Sequence, residues 1–290
     1  MGRDVYQEVT DSILAALDEG IVPWRRPWQV QGGHRNLQSG RPYRGINQFL
    51  TALRAIDNGY EPPYWTTYRA AKKAGGNVRK GERGTLVTFW KRLKVKDADA
   101  ENGYRIVPML RHYSVFNLAQ TEGLEAPPEP ERRTVDPLDA CEAVIAGMPH
   151  APRIVHGGDR ASYRPMPDVV ELPERDDFWT PDGYYHTAFH ELTHSTGHGS
   201  RLDRPEIAKA SHAFGSADYS REELVAELGA SMLCGSTGID PDIPQSASYI
   251  DGWRKVLGED KKLVVSAAGK AQRAADYILG VKFEDESGAA

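Results

Sequence analysis

The residues best suited to chemistry fall in one run, Tyr184-Tyr185-His186-Thr187-Ala188-Phe189-His190-Glu191-Leu192-Thr193-His194, which contains the pattern H-E-x-x-H. In a helix His190 and His194 lie one turn apart on one face, so both imidazoles can reach a single metal ion. Glu191 then stands beside the ion without ligating it, where a general base can take a proton from water. This division of roles belongs to metal-dependent hydrolysis of peptide bonds. The pattern is short enough to arise by chance, so the helix around it must decide the case.

Helix signals independent of the histidines are present. Thr180 suits an N-cap, Pro181 the first helical position, and Gly197 the other end. His186, His190, His194 and His198 form a ladder at four-residue spacing. With a rise of about 1.5 Å per residue the outer two lie roughly 6 Å beyond the inner pair along the axis, which selects His190 and His194.

A third ligand is still required. Gly197 fits H-E-x-x-H-x-x-G-x-x-H, but Ser200 stands where that pattern has its last histidine. A bend at Gly197 bringing His198 back is an alternative. The periodic segment Glu222 to Ala230 offers Glu223 and Glu227 on one face. Glu223 is expected to complete a His₂Glu set, and Glu227 to accept a hydrogen bond from a ligand imidazole. Against this, Ser220 and Glu223 also fit a capping box, and Glu222 and Glu223 suit the first turn of any helix. The ligand set points to Zn²⁺, with Mn²⁺ or another divalent metal compatible. Tyr219 and His212 are candidates for stabilising an oxyanion.

The elements that must position this site are only partly readable. A helix is expected from Pro137 to Gly147, a short apolar run at Arg153–His156, and a strand at Asp168–Leu172. A strand in that place can be a sheet edge that pairs with an extended substrate, or an ordinary edge.

Charge divides the chain. Residues 1–120 hold 19 Lys+Arg against 11 Asp+Glu, whereas residues 121–290 hold 17 against 30, giving net charges of +8 and −13. The basic half suits an anionic partner, and the acidic half does not. Between them residues 126–137 are rich in Pro and charge and read as a linker joining domains at 1–125 and 138–290. Cys141 and Cys234 lack C-x-x-C spacing and read as buried thiols. With no long apolar run and no leader pattern, the chain is expected to be cytoplasmic and to have no membrane partner.

The front half reads as α+β. Val5, Val9, Ile13 and Leu17 predict a first helix, with others at Gln48–Asp57 and Thr66–Lys73, and the alternating segments Thr85–Val95 and Tyr104–Asn117 predict a hairpin. Gly75 to Gly84 is not a nucleotide-binding P-loop, because no G-K-[ST] follows a strand. Aromatic residues alternate with cations: Trp24, Arg25, Arg26 and Trp28, then Arg41, Tyr43 and Arg44, then Trp65, Tyr68, Arg69, Lys72 and Lys73, then Arg79, Lys80, Arg83, Phe89 and Trp90. Single strands expose base faces that stack on aromatic rings, and their phosphates call for Lys and Arg, so single-stranded DNA is the expected partner. Each aromatic taken alone suits the core better than a nucleobase.

The run His190 to His198, followed by Arg201-Leu202 and the Glu222 to Glu227 helix, resembles the zincin-like metallopeptidase domain of the ArdC antirestriction proteins and related phage polyvalent proteins. The front half resembles their single-stranded-DNA-binding domain at Gly20-Ile21-Val22-Pro23-Trp24, Tyr43-Arg44-Gly45-Ile46-Asn47, Trp65-Thr66-Thr67-Tyr68 and Val115-Phe116-Asn117. The resemblance implies an α+β protein of two domains, carried on plasmids and other mobile elements, that protects incoming DNA from restriction. Through the E-x-x-A-[DE] pattern it favours Glu223 over Glu227 as ligand. It adds Asn47 to the DNA-binding candidates and marks Gln245–Leu257 and Leu263–Leu279 as packing helices. It names no protein substrate, which stays open between a restriction enzyme and other proteins met on DNA. A binding protein that cuts nothing, and a protease that clears proteins from DNA, are the rival readings.

Overall fold

A computed structural model describes residues 4–25, 33–96, 103–128, 136–208, 217–243 and 247–281. The front half runs α1 (Val5–Asp18), β1 (Arg35–Asn36), α2 (Ile46–Asn58), β2 (Tyr64–Thr66), α3 (Tyr68–Lys73), β3 (Asn77–Val78), β4 (Thr85–Lys96), β5 (Tyr104–Asn117) and β6 (Thr121–Glu122). Asp4 caps α1 by accepting the Gln7 N–H. Helix α2 starts ahead of the expected Gln48 because Ile46 is itself a core residue. Thr66 belongs to β2, and α3 begins only after Thr67, whose hydroxyl accepts the Ala70 N–H at 3.1 Å. Strands β4 and β5 form a long antiparallel ribbon in a sheet of order β1-β2-β5-β4.

The back half runs α4 (Pro137–Gly147), β7 (Arg153–His156), β8 (Ser162–Arg164), β9 (Val169–Leu172), α5 (Pro181–Ser195), α6 (Pro205–Ala208), α7 (Ala217–Thr237), α8 (Ala247–Glu259) and α9 (Leu263–Ile278). Its sheet has the order β7-β9-β8, so the strand expected at an edge lies in the middle. Its side chains explain the place: Val169, Val170 and Leu172 are buried, as a strand covered on both faces requires. The edge strand packed on α5 is β8. Cys141 and Cys234 are buried free thiols, and among the described residues no helix is long and apolar enough to cross a membrane.

Helices α5 and α7 pack against each other, and Gly229 sets how closely. A Cβ on Gly229 would lie 2.6 Å from Thr193 Cγ2, so any side chain there would push the two helices apart. One apolar core runs through both halves: Val9, Ile13 and Phe49 belong to the same buried cluster as Leu228, Leu257 and Val264. Polar contacts reinforce it. Arg44 pairs with Asp276, and the Gly45 N–H donates to Gln272 Oε1 at 2.9 Å.

Trp24 is the deepest of these links. It is 1% exposed, its ring meets Trp253 edge-on at 6.0 Å, and its indole N–H donates to Tyr249 Oη at 3.3 Å. Its carbonyl accepts the Ser231 hydroxyl at 2.5 Å. The expectation that Trp24 stacks on a nucleobase is corrected: the ring is used up in joining the halves. Trp65 is likewise enclosed, donating its indole N–H to His34 Nδ1 at 2.9 Å. Replacing Trp24 by Ala should therefore lower unfolding free energy by about 3–5 kcal/mol in denaturant titration. Unchanged stability would show that the ring does not anchor the halves.

Candidate metal centre

The metal helix forms for the reasons its ends supply. Thr180 Oγ1 accepts the Gly183 N–H at 3.1 Å, with Pro181 in the first helical position. At the other end Gly197 adopts no left-handed turn. Its lack of a side chain serves Ile207 instead, whose Cγ1 would lie 2.5 Å from a Cβ there. Two arginines close the helix. Arg204 donates to the Thr193 carbonyl at 2.8 Å, and Arg201 donates to the Ser195 carbonyl at 2.7 Å. Arg201 also pairs with Asp168 and reaches Tyr163 Oη at 3.1 Å, tying the helix end to the small sheet.

On the face turned to α7, His190 Nε2 and His194 Nε2 lie 3.1 Å apart. Glu223 closes the triangle, with Oε2 at 3.5 Å from His190 Nε2 and Oε1 at 3.4 Å from His194 Nε2. All three donor atoms fall within 4.8 Å of one another. Two imidazole nitrogens and a carboxylate aimed at one point fit a divalent ion such as Zn²⁺ or Mn²⁺. The electrostatics agree. Burial opposes a charged His194, but the Glu222 and Glu223 carboxylates outweigh it and raise its pKa to about 10. Burial also opposes a charged Glu223, yet hydrogen bonds from His190 and His194 hold its pKa well below the usual range. The site is built to keep positive charge between these donors.

The carboxylate that orients a ligand imidazole is Glu222, where the sequence pointed to Glu227. Glu222 Oε1 lies 3.3 Å from His194 Nδ1, and both its oxygens engage the buried Arg204 guanidinium. Glu222 stays ionised: burial raises its pKa, but His194 and Arg204 bring it down further. Glu227 is half-buried one turn along and hydrogen-bonded to Tyr249, with its enclosed Oε2 meeting no partner among the described residues. Burial raises the pKa of Glu227. Neither Glu222 nor Arg204 stands out in sequence, because an acid on a charged helix is ordinary and Arg204 lies outside both helices. His198 turns to Ser200, at 2.8 Å, and stays outside the donor group. His186 is buried and also outside it. Glu191 is buried on the metal helix. Tyr219 hydrogen-bonds to Glu223, and burial together with that carboxylate raises its pKa to about 12. His212 lies outside the described residues.

The candidate DNA contacts scatter. Arg26 and Trp28 lie outside the described residues. Asn47 clamps β4, donating to the Thr88 carbonyl and accepting the Thr88 N–H, both at 2.7 Å, so its amide is structural. Tyr43 is half-buried with its hydroxyl enclosed. Arg25 is half-buried and Arg44 is the partner of Asp276. Arg41, Tyr68, Lys72, Lys73, Arg79 and Lys80 remain at the surface, with Arg79 paired to Glu82 at 2.9 Å. The β4–β5 ribbon presents more. Phe89 and Trp90 are 43% and 54% exposed, and Phe89 meets Tyr113 at 5.7 Å between ring centroids. Its two strands carry Lys91, Arg92, Lys94, Lys96, Arg105 and Arg111 and no acidic residue. That acid-free stretch is the signal by which sequence could have singled it out.

A helix carrying H-E-x-x-H, a carboxylate from a second helix packed on it and a small sheet alongside define a zincin-like domain, here behind a basic α+β domain. The model for the zincin-like metallopeptidase domain matches residues 140–270, and that for the N-terminal domain of anti-restriction factor ArdC matches residues 3–116. The chain belongs to the ArdC family of antirestriction proteins. It is 39% identical to the ArdC antirestriction protein of plasmid R388, covering 97% of the metal-free structure at a TM-score of 0.76 and all of the Mn(II)-bound one at 0.77. The two comparisons cover 95% and 97% of this chain. The uncharacterized protein y4eC of Sinorhizobium fredii (strain NBRC 101917 / NGR234) is 36% identical, with 95% of this chain and 91% of y4eC covered. DNA primase TraC of Escherichia coli is 35% identical over 96% of this chain, which spans only 27% of that longer protein.

Arg204 touches no metal-donor side chain itself, so its effect passes through Glu222 and through the α5 end that it caps. Arg204→Ala is expected to weaken Mn²⁺ or Zn²⁺ binding about 10–100-fold, measured by isothermal titration with all three donors in place. Wild-type affinity in a folded variant would remove Glu222 and Arg204 from the account of the site.

Proposed function

We propose that this chain is a divalent-metal-dependent peptide hydrolase brought to single-stranded DNA by its front half, and that it thereby protects incoming mobile-element DNA from host restriction. We place the division between halves at residues 126–137. The observation that carries the hydrolase reading is the convergence of His190, His194 and Glu223 with Glu191 next in the chain. His190, His194 and Glu223 would hold the ion, Zn²⁺ by donor chemistry and Mn²⁺ by analogy with the R388 protein. When bound, such an ion acidifies water and polarises a carbonyl. Glu191 takes the proton from the attacking water and returns it to the leaving amine. Tyr219, kept protonated by its raised pKa, is a hydroxyl donor for the developing oxyanion. The free edge of β8, beside α5, is where an extended substrate can pair. The substrate is a restriction enzyme or another protein encountered on the entering strand.

Support for the DNA half comes from the ribbon, whose exposed rings and acid-free run of cations match what a single strand offers. Phe89→Ala and Tyr113→Ala should each weaken binding of a single-stranded oligonucleotide by about 1–3 kcal/mol in fluorescence anisotropy. Unchanged affinity would remove the ribbon from the interface.

Glu191→Gln separates cutting from binding. With metal and DNA still bound, hydrolysis should fall about 10²–10⁴-fold and protection of a transferred plasmid should be lost. If protection persists at the wild-type level, the protein acts by binding and the peptidase account of antirestriction fails.

A further inference from the structure

The β4–β5 ribbon leaves the sheet that roots it. β4 is the outer strand, and β5 pairs with β2 only at Asn117 and Phe116. From Tyr113 to Tyr104, β5 therefore has no strand partner but β4 among the described residues. The stretch of β4 from Phe89 to Lys96 spans roughly 27 Å at about 3.4 Å per residue.

Both faces of this arm carry the same chemistry. Phe89 pairs with Arg111 and Lys91 with Met109, so these four share one face, and Tyr113 joins them with its ring 5.7 Å from that of Phe89. The other face carries Trp90, Arg92, Lys94, Ile106 and Tyr104, with Lys94 Nζ 4.6 Å from the Tyr104 ring centroid. Phe89 and Tyr113 are 43% and 38% exposed on the first face, and Trp90 and Ile106 are 54% and 65% exposed on the second. The cations are uncommitted. Lys91 and Arg111 on one side and Arg92 on the other are exposed and make no ion pair or side-chain hydrogen bond among the described residues. Residues 97–102, three of them acidic, join the strands outside the described residues and form no part of the site.

A two-stranded ribbon with apolar groups open on both sides needs a partner on each. Rings call for base faces, and cations for phosphates. A closed duplex presents base edges in its grooves and keeps its base faces stacked on one another, so it leaves the rings unused. One strand on one face leaves the other face open. We infer that the ribbon is a wedge for forked DNA, with one unpaired arm of the fork on the Phe89–Tyr113 face and the other on the Trp90–Ile106 face. The inference rests on the single-strand reading above and narrows its substrate to the junction where a duplex opens into two strands.

The test compares three fluorescent probes on the full chain at one salt concentration: a fork with two oligothymidylate arms, a single oligothymidylate as long as both arms together, and a blunt duplex. The wild-type chain should bind the fork at least about tenfold more tightly than either of the others, the worth of one further stacked base. Phe89→Ala on one face, and Trp90→Ala or Ile106→Asp on the other, should each abolish that preference. Wild-type Mn²⁺ affinity in each variant reports an intact fold, because the metal donors lie outside the ribbon. Equal wild-type affinity for fork and single strand overturns the inference and leaves the single-strand reading standing. So does a fork preference that survives substitution on either face. Duplex binding as tight as fork binding overturns the wedge, since a closed duplex has no arms to part. Failure of the wild-type chain to bind either the fork or the single strand overturns the single-strand reading, and this one with it.

Discussion

The ion pair between Arg204 and Glu222 is buried from water, and much of the back half depends on it. Taking two charges into a protein interior is costly and is repaid only when every donor and acceptor is used. Here they are. Glu222 receives the guanidinium and His194, while the guanidinium also serves the Thr196 hydroxyl and the Thr193 carbonyl. The Thr193 carbonyl belongs to the last turn of α5, where backbone acceptors run short of helical partners and the dipole favours positive charge. A single guanidinium thus finishes the metal helix, neutralises the acid that orients His194, and fastens both to α7. Arg201 does the matching work toward the sheet.

This arrangement explains which parts of the site sequence could reveal. The α5 start was legible because a cap, a proline and the histidine spacing are local signals that agree. Glu223 was within reach because it shares a helix with a clear period, and the donor triangle brings it to the histidines. Glu222 was not, since its role comes from Arg204 in a segment without periodicity. The same distinction runs through the fold. The ribbon and most helix spans follow local pattern, whereas the central place of β9 is set by a sheet order that no local pattern encodes. Trp24 and Trp65 show the limit most directly. Their types suit stacking on bases as well as burial, and only the surrounding residues decide between the two.

The candidate DNA contacts sort in the same way. Asn47, Arg44 and Trp24, drawn from the segments by which the front half resembles its family, are each engaged in contacts that hold the protein together. Large apolar and aromatic side chains instead lie open on the ribbon, where Ile106 and Trp90 are among the more exposed. Soluble proteins seldom leave such groups uncovered without a partner for them.

The hydrogen bonds from Trp24 through Tyr249 to Glu227 run from the front half to the wall of the metal site, within an apolar core that both halves share. The boundary visible in the charge pattern is therefore not a seam in the interior. Exchanging the front half for one that does not place a ring as Trp24 does would leave the Tyr249 hydroxyl and the Trp253 ring without the group they face, so the halves are constrained to be inherited as a pair.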